Sequence, residues 1–184
     1  MIRLSALALG ALLAGPTLAI AQTDEFTAGD QSLATANVIN PDGQTIGTIA
    51  FVETPSGLII QLDIEGLPPG QHAIHIHETG TCEPPDFEST GDHFNPTDAN
   101  HGFLSEGGPH AGDLPNVYAG SDGRLQGDIL SSTLSLTSGE GALFTDDQGR
   151  AIVIHESLDD YETDPSGASG SRIACGVIEL QAAE

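Results

Sequence analysis

At 184 residues the chain has room for one domain with a sizeable core and little beyond it. Four basic residues, all arginine, stand against 27 acidic ones, and a net charge of −23 excludes nucleic acid and anionic membrane surfaces as partners. Aromatic residues make up only 4%, yet Ile, Leu, Val and Ala recur in regular blocks, which excludes wholesale disorder.

The chain begins MIRLSALALGALLAGPTLAIAQ. One arginine, an apolar stretch from Leu4 and the small-x-small run Ala19-Ile20-Ala21 read as a secretory signal peptide over residues 1–21, with 22–184 as a single domain. The stretch is short for a membrane span and is broken by Gly15-Pro16, so no membrane insertion is expected after cleavage. The destination is outside the cytoplasm, which is the periplasm in a Gram-negative cell.

Beyond that segment, short alternating apolar runs predict strands over 33–39, 45–52, 58–64, 71–77, 117–119, 125–129, 151–155 and 172–180. Asn40-Pro41-Asp42-Gly43 and Ser121-Asp122-Gly123 are hairpin turns by composition. Two long connections, 78–114 and 156–171, interrupt the strands, and loops of that length in a compact domain either carry function or lack structure. Eight short strands without helices predict an all-β fold, an antiparallel sandwich or barrel.

Side chains alternate across a strand, so "HAIHIH" sorts itself by parity. His75 and His77 face one side, while His72, Ile74 and Ile76 face the core side, which makes His72 a structural residue. Two imidazoles side by side suit Zn, Cu, Fe or Ni. His155, at the end of "AIVIH", adds a third candidate from a distant part of the chain. In the first long connection His93, His101, His110 and Asp113 follow at spacings of 8, 9 and 3. Three imidazoles and a carboxylate complete a closed tetrahedral zinc set, and a bound ion would order a Gly/Pro-rich loop. Cys82 and Cys175 are an even count in an exported chain, which favours a disulfide over use as metal ligands.

Together "HAIHIHETGTC", "GDHFNPTDANHG", "GPHAGDLPN", "GRAIVIHE" and "GASGSRIACGVIEL" resemble the copper/zinc superoxide dismutases of the exported bacterial type, from about Ala34 to Leu180. The resemblance implies an eight-stranded Greek-key barrel of immunoglobulin-like architecture with two long functional loops. It implies one copper per chain on His75, His77, His93 and His155, and one zinc on His93, His101, His110 and Asp113, with His93 shared. It further implies that Asp159 links a copper histidine to a zinc histidine, and that Cys82 pairs with Cys175. The implied reaction is ping-pong: one superoxide gives up an electron and leaves as oxygen, and a second takes it and leaves, with two protons, as hydrogen peroxide. Arg172 and His93 would be the catalytic residues, Arg172 docking the anion and His93 carrying a proton. Monomers and homodimers both occur in such families.

One departure is visible. The loop after His155 commonly carries a lysine in this family, whereas here there is none, and five acids crowd 156–164. Arg172 is then expected to carry the substrate attraction at close range while bulk charge opposes it. Two competing readings remain at this point. A cupin-type metalloenzyme leaves His101, His110 and Asp113 without a role, and an exported metal-binding protein without activity leaves Arg172 without one.

Overall fold

The computed structural model describes residues 33–181; the proposed signal peptide lies outside them. Nine strands run in the order β1 (Ala34–Ile39), β2 (Thr45–Thr54), β3 (Gly57–Ile64), β4 (Gly70–His72), β5 (Ile74–His77), β6 (Val117–Ala119), β7 (Leu125–Ser131), β8 (Arg150–His155) and β9 (Arg172–Leu180). Among the described residues the only helical turn is a short 3₁₀ segment at Glu88–Thr90. A seven-stranded antiparallel sheet has the order β5-β8-β9-β1-β2-β3-β7, and β4 pairs with β6 in a second, two-stranded ribbon.

β3 shows why these segments are strands. Its sequence GLIIQLDI alternates so that Leu58, Ile60, Leu62 and Ile64 are buried while their neighbours are half-exposed, which is the period of a pleated surface with one wet face. Those side chains meet Ile49 and Phe51 of β2, Ile74 and Ile76 of β5, and Ile152 and Ile154 of β8 in one core. β5 and β8 are buried on both faces. The outer face of β8 carries Ala151 and Val153, which form a second apolar cluster with Phe87 and the Cys82–Cys175 disulfide.

Two features depart from the sequence reading. The run 71–77 is two strands, not one, because the chain changes partners at Ala73, whose N–H donates to Ser157 O while its own carbonyl accepts from His155 N. A third long connection, 132–149, joins β7 to β8, and its Leu134, Leu136 and Leu143 are pinned into the core. It has to cross between strands that are far apart in the sheet order.

Candidate metal centre

The register of β5 against β8 sets the first half of the site. Ile74 lies opposite Ile154 and Ile76 opposite Ile152 on the core side, so His75 (opposite Val153) and His77 (opposite Ala151) are forced to the other face. β8 ends, after a register irregularity, at His155, which lies opposite Arg172 at the start of β9. Three imidazoles and a guanidinium are thus placed by strand pairing alone.

The long connection delivers the second half along the free edge of β5. Phe94 N donates to Ile76 O (2.8 Å), Ile76 N to Gly112 O (2.9 Å) and Gly112 N to Phe94 O (2.8 Å). Only glycine fits at 112, since a Cβ there would collide with Ile76 O and stand 3.1 Å from Phe94 N. This close approach seats His93 beside His77 and Asp113 beside His75.

All seven expected ligands converge. The donor atoms of His75, His77, His93 and His155 lie within 4.8 Å of one another, and so do those of His93, His101, His110 and Asp113. Every one of these residues is buried. His72 joins neither group: its ring nitrogens face His155 O at 2.8 Å and Pro68 O at 2.7 Å, which ties β4 to the end of β8.

Hydrogen-bond partners fix which nitrogen of each ring is free. A carbonyl or carboxylate oxygen only accepts, so the nitrogen facing it carries the hydrogen and the other keeps its lone pair. His77 Nδ1 donates to Gly91 O (2.9 Å), leaving Nε2. His155 Nδ1 faces Gly170 O (3.3 Å) and Ser169 Oγ (3.1 Å), again leaving Nε2. Asp159 accepts from His75 Nε2 through Oδ2 (2.8 Å) and from His101 Nε2 through Oδ1 (3.0 Å), leaving His75 Nδ1, while His101 Nδ1 turns to Asp113 Oδ2 at 3.2 Å. Among the described residues seven buried side-chain nitrogens have no hydrogen-bond partner, and six are imidazole nitrogens: His75 Nδ1, His77 Nε2, His93 Nε2, His101 Nδ1, His110 Nδ1 and His155 Nε2. Orphaned buried polar atoms are costly, and the nitrogens of His75, His77, His93 and His155 converge with nothing but one another to face, which suits a metal ion. His101 Nδ1 and His110 Nδ1 instead lie 3.2 and 3.3 Å from the Asp113 carboxylate. His93 Nδ1 meets Asp113 Oδ1 at 2.8 Å and carries the hydrogen of that bond, so an ion in the second group would have to displace this proton to reach the ring.

Electrostatics agree with this assignment at His77, His93 and His155. Burial holds His155 at about 3, with repulsion from His75 adding to it, and holds His93 at about 4 against the hydrogen bond to Asp113. His77 is likewise kept well below its ordinary value by burial. These rings are neutral at pH 7, the form that binds metal. His101 goes the other way: burial opposes its charge, yet the Asp113 and Asp159 carboxylates lift it to about 9. Both carboxyls sit below their usual range, because the histidine hydrogen bonds outweigh burial.

A pH prediction follows for the chelator-stripped protein. His93 and His155 titrate lower folded than unfolded, so the unfolded chain takes up protons first and stability falls as pH drops below about 6.5. His101 titrates higher folded than unfolded, so its contribution is full below about 6.5 and is lost as pH rises through about 9. Thermal scans should give a maximum Tm between these limits and a fall of roughly 5–10 °C from pH 7 to pH 5. A Tm that is flat across that acid range would contradict the assigned ring states.

Arg172 is anchored by the segment beneath the disulfide. Its Nη1 donates to Phe87 O and Thr90 Oγ1 (both 2.8 Å), and its Nη2 to Gly91 O (2.9 Å). It lines an open cavity of about 390 Å³ together with His77, His93, His155, Glu78 and Asp92.

Sequence reasoning misses three contributors. Asn116 clamps Asp159 from both sides, donating to its carbonyl and accepting from its N–H, both at 2.8 Å. Thr90 holds Arg172. Gly167 leaves room for Asp159, because a Cβ there would collide with Asp159 Oδ1 and crowd His101 Nε2. Of these, only the glycines of "SGASG" carry any signal in the sequence.

Comparison with known proteins agrees with this geometry. A family model described as copper/zinc superoxide dismutase matches residues 45–178. A superoxide dismutase [Cu-Zn] of Aquifex aeolicus is 47% identical over 146 residues, covering 79% of this chain and 85% of that protein. One from Caulobacter vibrioides is 42% identical, with the same coverage of each chain. Among solved structures, the copper/zinc superoxide dismutase of Brucella abortus aligns with a TM-score of 0.65 at 31% identity, over 79% of this chain and 99% of that one. A superoxide dismutase-like protein from Bacillus subtilis aligns with a TM-score of 0.74 at 41% identity, over 77% of this chain and 95% of that one. The curled sheet and its ribbon are the expected Greek-key barrel. By family model, sequence identity and fold together, this chain belongs to the copper/zinc superoxide dismutase family.

Proposed function

We propose that this chain dismutes superoxide with copper held by His75 Nδ1, His77 Nε2, His93 Nε2 and His155 Nε2, and with zinc held by His93 Nδ1, His101 Nδ1, His110 Nδ1 and Asp113, one ion of each per chain. The observation that carries the reading is the convergence of four partnerless buried imidazole nitrogens, from His75, His77, His93 and His155, beside a second buried group in which His93, His101 and His110 gather on the Asp113 carboxylate. When bound, copper supplies one-electron redox chemistry and zinc a fixed charge without it. The chain's own part is docking, orientation and proton supply. Arg172 keeps an Nη2 hydrogen free of its three anchoring bonds and faces the cavity, placed to dock an anion. His93, which lines the same cavity, would hold and hand over one of the two protons that peroxide needs at Nε2 only while that nitrogen is not bound to copper. Asp159 and Asn116 fix the rings of His75 and His101. Such outer partners of ligating histidines typically matter by about 10–100-fold in affinity or activity.

The disulfide and the signal-like first 21 residues support export, with 22–184 as the working domain and protection of the cell envelope as the role. No helix of the described residues is long and apolar enough to cross a membrane. Mass in solution distinguishes a monomer from a homodimer. Metal analysis with an activity assay tests the function itself. One copper and one zinc per chain, with dismutation lost on removing copper alone and restored on returning it, is the expected result. Bound copper without dismutation makes the protein a carrier, and iron or manganese in place of copper points to a cupin-type enzyme.

The acidic surface gives a separate prediction. Superoxide approaches a strongly acidic molecule, of net charge −23 over the full sequence and one unit more negative without Arg3, whose cavity also carries Glu78 and Asp92. The screening length shrinks from about 30 Å at 0.01 M salt to about 8 Å at 0.15 M, so repulsion at a distance fades while Arg172 still acts at contact. The dismutation rate should therefore rise, roughly twofold or more, over that range. A steep fall with salt would show net attraction and sink this account.

A further inference from the structure

The mouth of the cavity is acidic to a degree that substrate docking does not explain. Glu78 and Asp92 line the cavity itself, and both are exposed. Asp86, Glu88 and Glu156, also exposed, line the adjoining depression on the other side of Arg172. Asp86, Glu88 and Asp92 all act on the Arg172 charge. Five carboxylates surround one guanidinium, which is the wrong sign for gathering an anion. The same cavity is lined by His77, His93 and His155, whose Nε2 atoms are buried without a partner. An acidic rim above inward-turned lone pairs is the right sign and chemistry for a soft or borderline metal cation.

We infer that Glu78, Asp86, Glu88, Asp92 and Glu156 form a cation funnel that captures copper for the His75/His77/His93/His155 group, so that one local field speeds metal loading and slows substrate arrival. This rests on the copper assignment above. A divalent cation feels a given potential twice as strongly as superoxide does, with opposite sign, so the two processes respond to salt and to rim charge in opposite directions. The rim carboxylates need not ligate the ion at the end of the journey. Their role is in the rate, and the final affinity stays with the imidazoles.

The test uses zinc-loaded, copper-free protein mixed with Cu²⁺ alone in a stopped-flow instrument, with the visible copper absorption as the readout. The association rate constant should fall at least about fivefold as ionic strength rises from about 0.01 to 0.3 M, within the range by which steering changes on-rates. E88Q combined with D92N should lower the low-salt rate about threefold or more, while copper content at completion stays at one per chain. The same pair of changes should raise the dismutation rate of the copper-loaded protein. D128N serves as the control, a single charge removed from β7 at the opposite edge of the sheet from β5, and it should change the loading rate less than E88Q alone. A loading rate indifferent to salt and rim charge, with full copper content, overturns the funnel and leaves the copper assignment standing. D128N slowing loading as much as E88Q also overturns the funnel, because the effect would then belong to net charge. A zinc-loaded protein that takes up no copper overturns the assignment, and the funnel with it.

Discussion

Replacing His155 by alanine should abolish dismutation, by at least about 10³-fold, the scale on which loss of one member of a catalytic unit is felt. Copper content should fall below about a tenth of an equivalent while zinc stays near one per chain. The reason is the division of ligands. His155 offers Nε2 to the copper group and nothing to the zinc group, and the two groups share only His93. His155 stands at the end of β8 beside the cavity, where truncation opens space at the mouth and leaves the Ile152–Ile154 core contacts in place. Its backbone N–H still donates to Ala73 O, so the junction of β4 and β5 survives. The matching change at His93 should cost both metals, and with them the order of residues 93–113. Elemental analysis and a superoxide assay on both variants check the pair. A His155→Ala protein that keeps its copper and its rate would remove the imidazole from the role given to it.

Breaking the crosslink should be nearly as damaging, through stability first and rate second. Cys82 and Cys175 are 93 residues apart in the chain, and closing a loop of that size in the unfolded state is worth about 4–5 kcal/mol in the chain-entropy model. The C82S/C175S double variant should lose most of that in urea unfolding of the metal-saturated protein. The rate should fall as well, on the order of tenfold, with copper retained. Cys82 leads into the segment whose Phe87 O, Thr90 Oγ1 and Gly91 O hold Arg172, and Cys175 lies three residues beyond Arg172 on β9. The bond therefore ties together the two pieces of chain between which the guanidinium is held. Phe87 and Val153 pack around it, so the segment has an apolar seat that partly survives reduction. Unchanged urea midpoints in the double variant would show that this seat alone holds the segment.

Much of this molecule can be read from residue order. The isoleucines of β5 declare a core face, and parity alone then assigns His75 and His77 to the opposite face and His72 to a structural place, while His155 shows itself only as a histidine ending a second apolar run. The metal loop announces itself by three histidines and an aspartate among turn formers. The tautomers cannot be read this way, because they depend on backbone oxygens such as Gly91 O and Gly170 O that any residue supplies. Asn116 is invisible for a similar reason: an asparagine beside a proline in a loop reads as a turn, and its grip on Asp159 spans 43 residues of sequence. The break at Ala73 escapes because the run 71–77 keeps its alternation through the switch of partners, which only tertiary pairing reveals.

The choice of arginine for every basic position has a consequence beyond electrostatics. Proteases that cut after basic residues find no lysine anywhere in the sequence, and in the described residues they find three arginines. Arg150 has a side chain only 5% exposed, spread over Phe94 and paired with Asp146. Arg172 is spoken for by three oxygens of the disulfide segment. That leaves Arg124, in the tight turn before β7, followed at once by residues locked in a ladder with β3. Cleavage needs several residues of extended, detachable chain, which this turn yields only when the strand opens. The folded domain, over its described residues, thus offers almost no tryptic site, and limited trypsin digestion should leave it intact until the strand opens.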